Sequence, residues 1–238
     1  MKEFKAISQD LIRELSLEYE PVGVSLYKEG QTIPRHVSPF EGQVKSYCQA
    51  LILAGKGQSL LLKKDQMGCK LGTAALGFEE NPSDYLDDGV LEKYGVGLFG
   101  SEAASAATVL GAICLEKGST RSILIAPLSS FQDTPHVVVF TANSEQVMWL
   151  LYSVNYEKGG KMDLPQSGGA LGGCSDITVW PLLKCLPNIT FLGLGCRLKS
   201  AIGAGHLMMG VPGTLLETLH AHILDLAKPI SLLKSVSK

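Results

Sequence analysis

Cysteines beside glycines are the residues of this sequence whose types and spacing best suit chemistry. Three of them directly follow a glycine: Cys69 in "MGCKLG", Cys174 in "SGGALGGCSD" and Cys196 in "LGLGC". A fourth, Cys48, falls on a predicted helix beside Tyr47. Glycine lets the backbone approach a bound group closely, and its N–H can then donate a hydrogen bond to sulfur. These four thiols are therefore the candidate ligands of a metal or cluster.

The spacing of the cysteines narrows the kind of metal site. The sequence contains no C-x-x-C pair, which is the spacing of zinc knuckles, local ferredoxin motifs and thioredoxin-like sites. Four thiolates from separate elements are the ligand set of an iron–sulfur cluster, yet a structural zinc ion or plain buried thiols fit the same residues. The remaining Cys114 and Cys185 lie among apolar neighbours and are predicted to pack in the core.

A reactive thiol is another interpretation of Cys196. This residue precedes Arg197 at the predicted start of a helix, where the helix dipole and the guanidinium would favour a thiolate. A nucleophilic cysteine usually works with a histidine, and the spacing of the five histidines selects none. His220 and His222 are predicted to lie on a helix surface.

Two further ligand classes can be considered. The glycine-rich stretches lack the G-x-G-x-x-G and P-loop spacings, so a dinucleotide site is not expected. The alanine-rich segment "AASAATVLGA" suits a flat ligand such as a tetrapyrrole or a flavin, or else a closely packed helix.

Composition limits the class of protein. The chain has 238 residues, 45% of them apolar and 18% charged, with a net charge of −2. These values predict a globular protein without a nucleic-acid footprint. The first residues lack an apolar signal region, and runs such as "VMWLLYSV" are too short to span a bilayer. We therefore expect a soluble cytoplasmic protein with reduced cysteines, whose partner is an electron-transfer protein or a small molecule.

Alternating strand and helix patterns must position the cysteines. They predict an α/β or α+β fold, with a mixed sheet flanked by helices. Strands are predicted at "PVGVSLY", "SLLLK", "SILIAPL", "HVVVF" and "NITFLGLG". Helices are predicted at the N-terminus and from Val44 to Ala54. Each half of the chain, about 1–120 and 121–238, runs strand, helix, connector and glycine-flanked cysteine, so one domain over residues 1–238 is expected, with a pseudo-repeat as a further hypothesis.

Capping residues predict where two later helices begin. Asn143 and Gln146 form a capping-box pattern, which predicts a strand–turn–helix unit from Val137 to about Val154. Thr214 and Glu217 form a second such pattern. The last ten residues are predicted to be a loosely docked tail.

Several of these stretches together resemble a known family. The ordered set is "PVGVSL", "CQALILAGKG", "GCKLGTAALG", "IAPL", "HVVVFTANSEQVMWLL", "GGCSD", "LGCRLKSA" and "GVP". In these motifs the chain resembles the uncharacterised ArCR family, a domain of unknown function found in archaea and many anaerobic bacteria.

The resemblance implies a ligand set but no reaction. The family's recurrent cysteines correspond to Cys48, Cys69, Cys174 and Cys196. Arg197 and Gln146 also fall on recurrent positions. The anaerobic distribution favours iron–sulfur over zinc, so the four cysteines are expected to bind one [4Fe–4S] cluster. Its other contacts are expected to be Gly68, Gly173, Gly195 and Arg197. The Arg197 charge would raise the reduction potential of the cluster or hold an anionic substrate.

Overall fold

A computed structural model describes residues 2–34, 37–78 and 98–236 of the chain. His36, one of the five histidines, lies outside these residues. The strands are β1 (Val22–Tyr27), β2 (Leu60–Leu62), β3 (Ser122–Pro127), β4 (Val137–Asn143), β5 (Asn188–Thr190) and β6 (His206–Pro212). The α-helices are α1 (Lys2–Leu15), α2 (Tyr47–Gly55), α3 (Lys70–Ala75), α4 (Glu102–Leu110), α5 (Ser144–Val154), α6 (Trp180–Lys184), α7 (Leu194–Ser200), α8 (Leu216–Asp225) and α9 (Ala227–Val236). A π-helix, Gly172–Val179, runs directly into α6.

One six-stranded sheet forms the centre of the fold. Its strand order is β2-β3-β1-β4-β6-β5, and the paired strands run antiparallel. Helices flank this sheet, so the predicted α/β class is confirmed, although the sheet is antiparallel rather than the mixed sheet that was expected. The structure does not confirm the pseudo-repeat, because β3 from the second half lies between β2 and β1 from the first half.

The two faces of the sheet bury two separate cores. Successive side chains of a strand point to opposite faces, and β4 shows this alternation. Val137 and Val139 belong to the core that contains Cys48, whereas Val138 and Phe140 belong to the other. The first core is covered by α2, α3 and the π-helix, and the second by α1, α5 and α8. Three of the four candidate cysteines, Cys48, Cys174 and Cys196, therefore pack on one face of the sheet.

Three sequence-based expectations differ from the structure near the helices. The alanine-rich helix α4 buries only Ser105 and Val109, so it is not closely packed. Thr214 caps no helix, because a 3₁₀ turn over Gly213–Leu215 precedes α8. The C-terminal residues form α9 and are docked, since Ile230 is buried and Lys234 donates to the Glu14 carbonyl.

The capping box of α5 is confirmed and gives a test of local stability. The Asn143 side chain accepts from the Gln146 N–H at 2.9 Å, and the Gln146 side chain accepts from the Asn143 N–H at 2.8 Å. Asn143→Ala removes one of these bonds and is expected to lower the free energy of unfolding by about 1 kcal/mol. Urea unfolding followed by circular dichroism measures this loss. Ser144→Ala, at the next exposed position, is the matched control, and equal losses in the two variants would contradict the prediction.

Within the described parts of the chain, no helix combines the length and the apolar character needed to cross a bilayer.

Candidate functional site

The four candidate cysteines line one cavity of about 440 Å³. Each comes from a different element: Cys48 from α2, Cys69 from the residue before α3, Cys174 from the π-helix and Cys196 from α7. Cys48 and Cys174 are buried, whereas Cys69 and Cys196 are partly exposed. The cavity is otherwise lined by Ser46, Tyr47, Lys70, Leu71, Gly72, Leu98, Phe99, Gly169, Ala170, Leu171, Gly193, Gly195 and Lys199.

A buried hydrogen-bond chain joins the elements that carry Cys48 and Cys174. The Tyr47 hydroxyl lies 2.8 Å from the Thr178 hydroxyl, which in turn donates to the Gly173 carbonyl at 2.9 Å. Tyr47 is the residue before Cys48, and Gly173 is the residue before Cys174. This chain therefore fixes the distance between the first turn of α2 and the π-helix.

Gly173 allows the π-helix to approach two sulfurs of the site closely. A Cβ atom built at this position would overlap the Sγ atom of Cys48. The backbone N–H of Gly173 also faces Cys196, where it favours the thiolate form. Only a residue without a side chain lets the π-helix lie against these two sulfurs.

Asp176 fastens the loop that leads into the π-helix. Its buried carboxylate accepts from the backbone N–H of Ser167 at 3.0 Å and from the Ser167 hydroxyl. Burial raises the pKa of Asp176, and the hydrogen bonds from Ser167 oppose that rise. The glycine-rich loop 167–171 is thereby held over the cavity, with Leu171 in the left-handed region at φ 61°.

Arg197 anchors the helix that carries Cys196. Its Nε atom donates to the Phe191 carbonyl at 2.9 Å, and its Nη2 atom donates to the His206 carbonyl at 2.8 Å. At the N-terminal end of the helix, Gly193 packs closely against the backbone of Gly169. A Cβ at Gly193 would lie 2.7 Å from the Gly169 carbonyl carbon. Two neighbouring segments therefore fix α7 relative to the cavity.

The thiols influence one another across the cavity. A hydrogen bond between Cys48 and Cys196 raises the pKa of Cys48 and lowers that of Cys196. The N–H groups of Gly173 and Gly193 also lower the pKa of Cys196, against the effect of burial. Burial is the main cause that raises the pKa of Cys69 and of Cys174. The arrangement stabilises a thiolate most strongly at Cys196.

Of the four predicted contact residues, two lie at the cavity or against its sulfurs and two do not line the cavity. Gly195 lines the cavity, and Gly173 lies against Cys48 and Cys196. Gly68 instead donates to the Val44 carbonyl at 2.8 Å, and the Arg197 guanidinium donates to backbone carbonyls. Neither Gly68 nor Arg197 is among the residues that line the cavity.

Three cavity residues with charged or polar side chains were not predicted from the sequence. Lys199 and Lys70 line the cavity, and Tyr47 links its two walls. One signal was available for Lys199, because a residue three positions after Cys196 lies on the same side of a helix.

The structure differs from the sequence-based expectation at two residues outside the cavity. Cys185 is exposed, because it ends α6 in the left-handed conformation rather than packing in the core. His222 is buried rather than exposed on its helix, and its Nδ1 atom donates to the Ser153 carbonyl at 2.7 Å. Cys114 is half-buried against the first core, closer to its predicted role.

A single bound metal ion needs several ligand side chains that converge on one point. In residues 2–34, 37–78 and 98–236, no group of three or more histidine, cysteine, aspartate or glutamate side chains is arranged to hold a metal ion. The four cysteines thus surround a cavity without converging on one point.

Comparison with known proteins gives the relationships of the chain. A model of the uncharacterised ArCR family, domain of unknown function 169, matches residues 10–222. An uncharacterized protein of Methanocaldococcus jannaschii is 25% identical over 220 residues, which cover 92% of this chain and 93% of that protein. No solved structure matches the chain. The family model spans most of the chain and confirms the resemblance of the motifs, so the chain belongs to the uncharacterised ArCR family.

Proposed function

We propose that this protein binds one [4Fe–4S] cluster through Cys48, Cys69, Cys174 and Cys196 and uses it to carry electrons. The observation that supports this proposal is that four cysteines, far apart in sequence and on four elements, line one cavity. Four thiolates are the usual ligands of such a cluster.

The size of the group distinguishes a cluster from a single ion. Four thiolates around one zinc ion at about 2.3 Å stand only about 3.8 Å apart. Cys48 and Cys196 are close enough to share a hydrogen bond, but among the described residues no group of three or more ligand side chains is arranged to hold one metal ion. A cluster is larger and holds its thiolates farther apart, which suits sulfurs that surround a cavity.

The ligand set also supports an electron-carrying role. Four cysteines supply one thiolate to each iron of the cluster, so no iron is left open to a substrate. Apolar side chains of Leu71, Phe99 and Leu171 line the same cavity. They would limit the water around a cluster, and such exclusion tunes its reduction potential.

Anaerobic purification followed by metal analysis tests the proposal. The chain, as isolated or after reconstitution with iron and sulfide, is expected to be brown and to contain four iron and four sulfide ions. Serine at any of the four cysteine positions is expected to lower the iron content at least severalfold. The matched controls are Cys114→Ser and Cys185→Ser, which change thiols outside the cavity and are expected to keep the iron content of the parent chain.

Three results would contradict the proposal. A colourless, iron-free protein after reconstitution would exclude the cluster. One zinc ion per chain would indicate a structural metal instead. An absorption spectrum typical of a flavin or a tetrapyrrole would indicate a larger ligand.

A further inference from the structure

Two lysines bring positive charge to the cysteine cavity. Lys70 and Lys199 line it, and no aspartate or glutamate is among its described lining residues. Lys199 is partly buried, whereas Lys70 is exposed. A charge that is partly removed from water acts more strongly on its neighbours and is screened less by salt. Lys199 is therefore the cation with the stronger influence on anything held by the four sulfurs.

The position of Lys199 places its charge near two ligands. It lies on α7 three residues after Cys196, and residues at this spacing are neighbours on a helix surface. Lys199 also lines the same cavity as Cys69, which directly precedes α3. Its field thus reaches sulfurs from two different elements.

We propose that the positive charge of Lys199 raises the reduction potential of the cluster bound at the four cysteines. Lys199 is thus a positioning residue and not a ligand. This inference depends on the cluster proposed above. An oxidised [4Fe–4S] cluster with four thiolates carries two negative charges, and uptake of one electron adds a third. A nearby cation attracts the reduced form more strongly than the oxidised form, so it favours reduction.

Lys199 takes the role that the sequence suggested for Arg197. The Arg197 guanidinium donates to the carbonyls of Phe191 and His206 and holds α7 in place. Lys199, on the same helix, lines the cavity. Lys70 lines the same cavity and has the same charge but is exposed. Its substitution is therefore a matched control for the substitution of Lys199.

Redox titration of the loaded protein with dithionite, followed by electron paramagnetic resonance, tests the inference. Lys199→Met is expected to shift the midpoint potential of the cluster to a more negative value. Lys199→Arg keeps the charge and is expected to remain close to the parent chain. Lys70→Met is expected to give a smaller shift, which high salt removes. An unchanged potential in Lys199→Met, or a shift no larger than in Lys70→Met, would overturn the inference.

A second measurement uses the cluster-free chain. The rates at which iodoacetamide alkylates Cys69 and Cys196 at one fixed pH are read by peptide mass spectrometry. Loss of the Lys199 charge is expected to slow both reactions, because less thiolate is present. Equal rates in Lys199→Met and the parent chain would contradict the electrostatic role even if this variant lost its cluster. A parent chain that binds no cluster would overturn the proposed function, and with it the effect on potential, whereas this assay would still report the charge effect.

Discussion

Alanine in place of Gly173 is expected to weaken cluster binding while the chain still folds. The added Cβ would overlap the Sγ atom of Cys48. Cys48 is 2% exposed in the first turn of α2, so its side chain has little space for another rotamer. The overlap is therefore expected to push the Cys48 sulfur, the π-helix or both out of position. Iron affinity should fall by roughly 10- to 100-fold, as is typical when a residue that supports a metal ligand is changed.

Gly205→Ala is the matched control for this experiment. Gly205 is not among the described residues that line the cavity, and a Cβ at this position would meet no atom within 4 Å. We expect Gly205→Ala to retain the iron and sulfide content of the parent chain. Thermal unfolding of the cluster-free variants shows whether each one folds. Normal iron binding by Gly173→Ala would mean that the close approach of the π-helix to Cys48 is not needed for the site.

Local signals explain which elements could be predicted from the sequence. The β4–α5 unit begins and ends where it was predicted, because Asn143 and Gln146 bond within one helical turn. The same pattern at Thr214 and Glu217 failed, because the chain enters α8 through a 3₁₀ turn. The burial of His222 was also not predictable, since its partner, the Ser153 carbonyl, belongs to a different helix.

In the candidate site, too, patterns between sequence neighbours could be predicted, whereas contacts between residues far apart in sequence could not. Glycine beside cysteine is a local pattern, and it selected three of the four thiols that line the cavity, whereas Cys48 has no neighbouring glycine. The contribution of Tyr47 depends on Thr178, which is 131 residues away in sequence. Arg197 carries the right charge for a site near Cys196, but the carbonyls of Phe191 and His206 direct its guanidinium to the backbone.

The π-helix is the element that sequence patterns predicted least well. No helix was predicted over this glycine-rich stretch, whereas the structure has a continuous helical segment from Gly172 to Val179. Single-turn π-helical segments are rare and occur often at functional sites. The helix lies directly against β6, where the absence of a side chain at Gly210 leaves room for the backbone of Ile177.

Gly210→Ala is expected to cause a large loss of stability for this reason. Gly210 pairs with Val139 of β4 and with Asn188 of β5, so the strand cannot shift without breaking two ladders. A Cβ at this position would lie 2.6 Å from the carbonyl carbon of Ile177 and 2.8 Å from its Cα atom. Backbone atoms cannot rotate away as a side chain can. The loss of unfolding free energy should therefore reach the upper end of overpacking costs, about 3 kcal/mol.

Gly205→Ala separates this steric effect from the general effect of a glycine substitution. Gly205 directly precedes β6, and a Cβ there would meet no atom within 4 Å. Urea unfolding is expected to show a much lower midpoint for Gly210→Ala and little change for Gly205→Ala. Because the π-helix carries Cys174, the folded fraction of Gly210→Ala should also bind less iron. Equal stability of the two variants would mean that the π-helix can move away from β6 at little cost, and the rigid seat inferred for Cys174 would then be wrong.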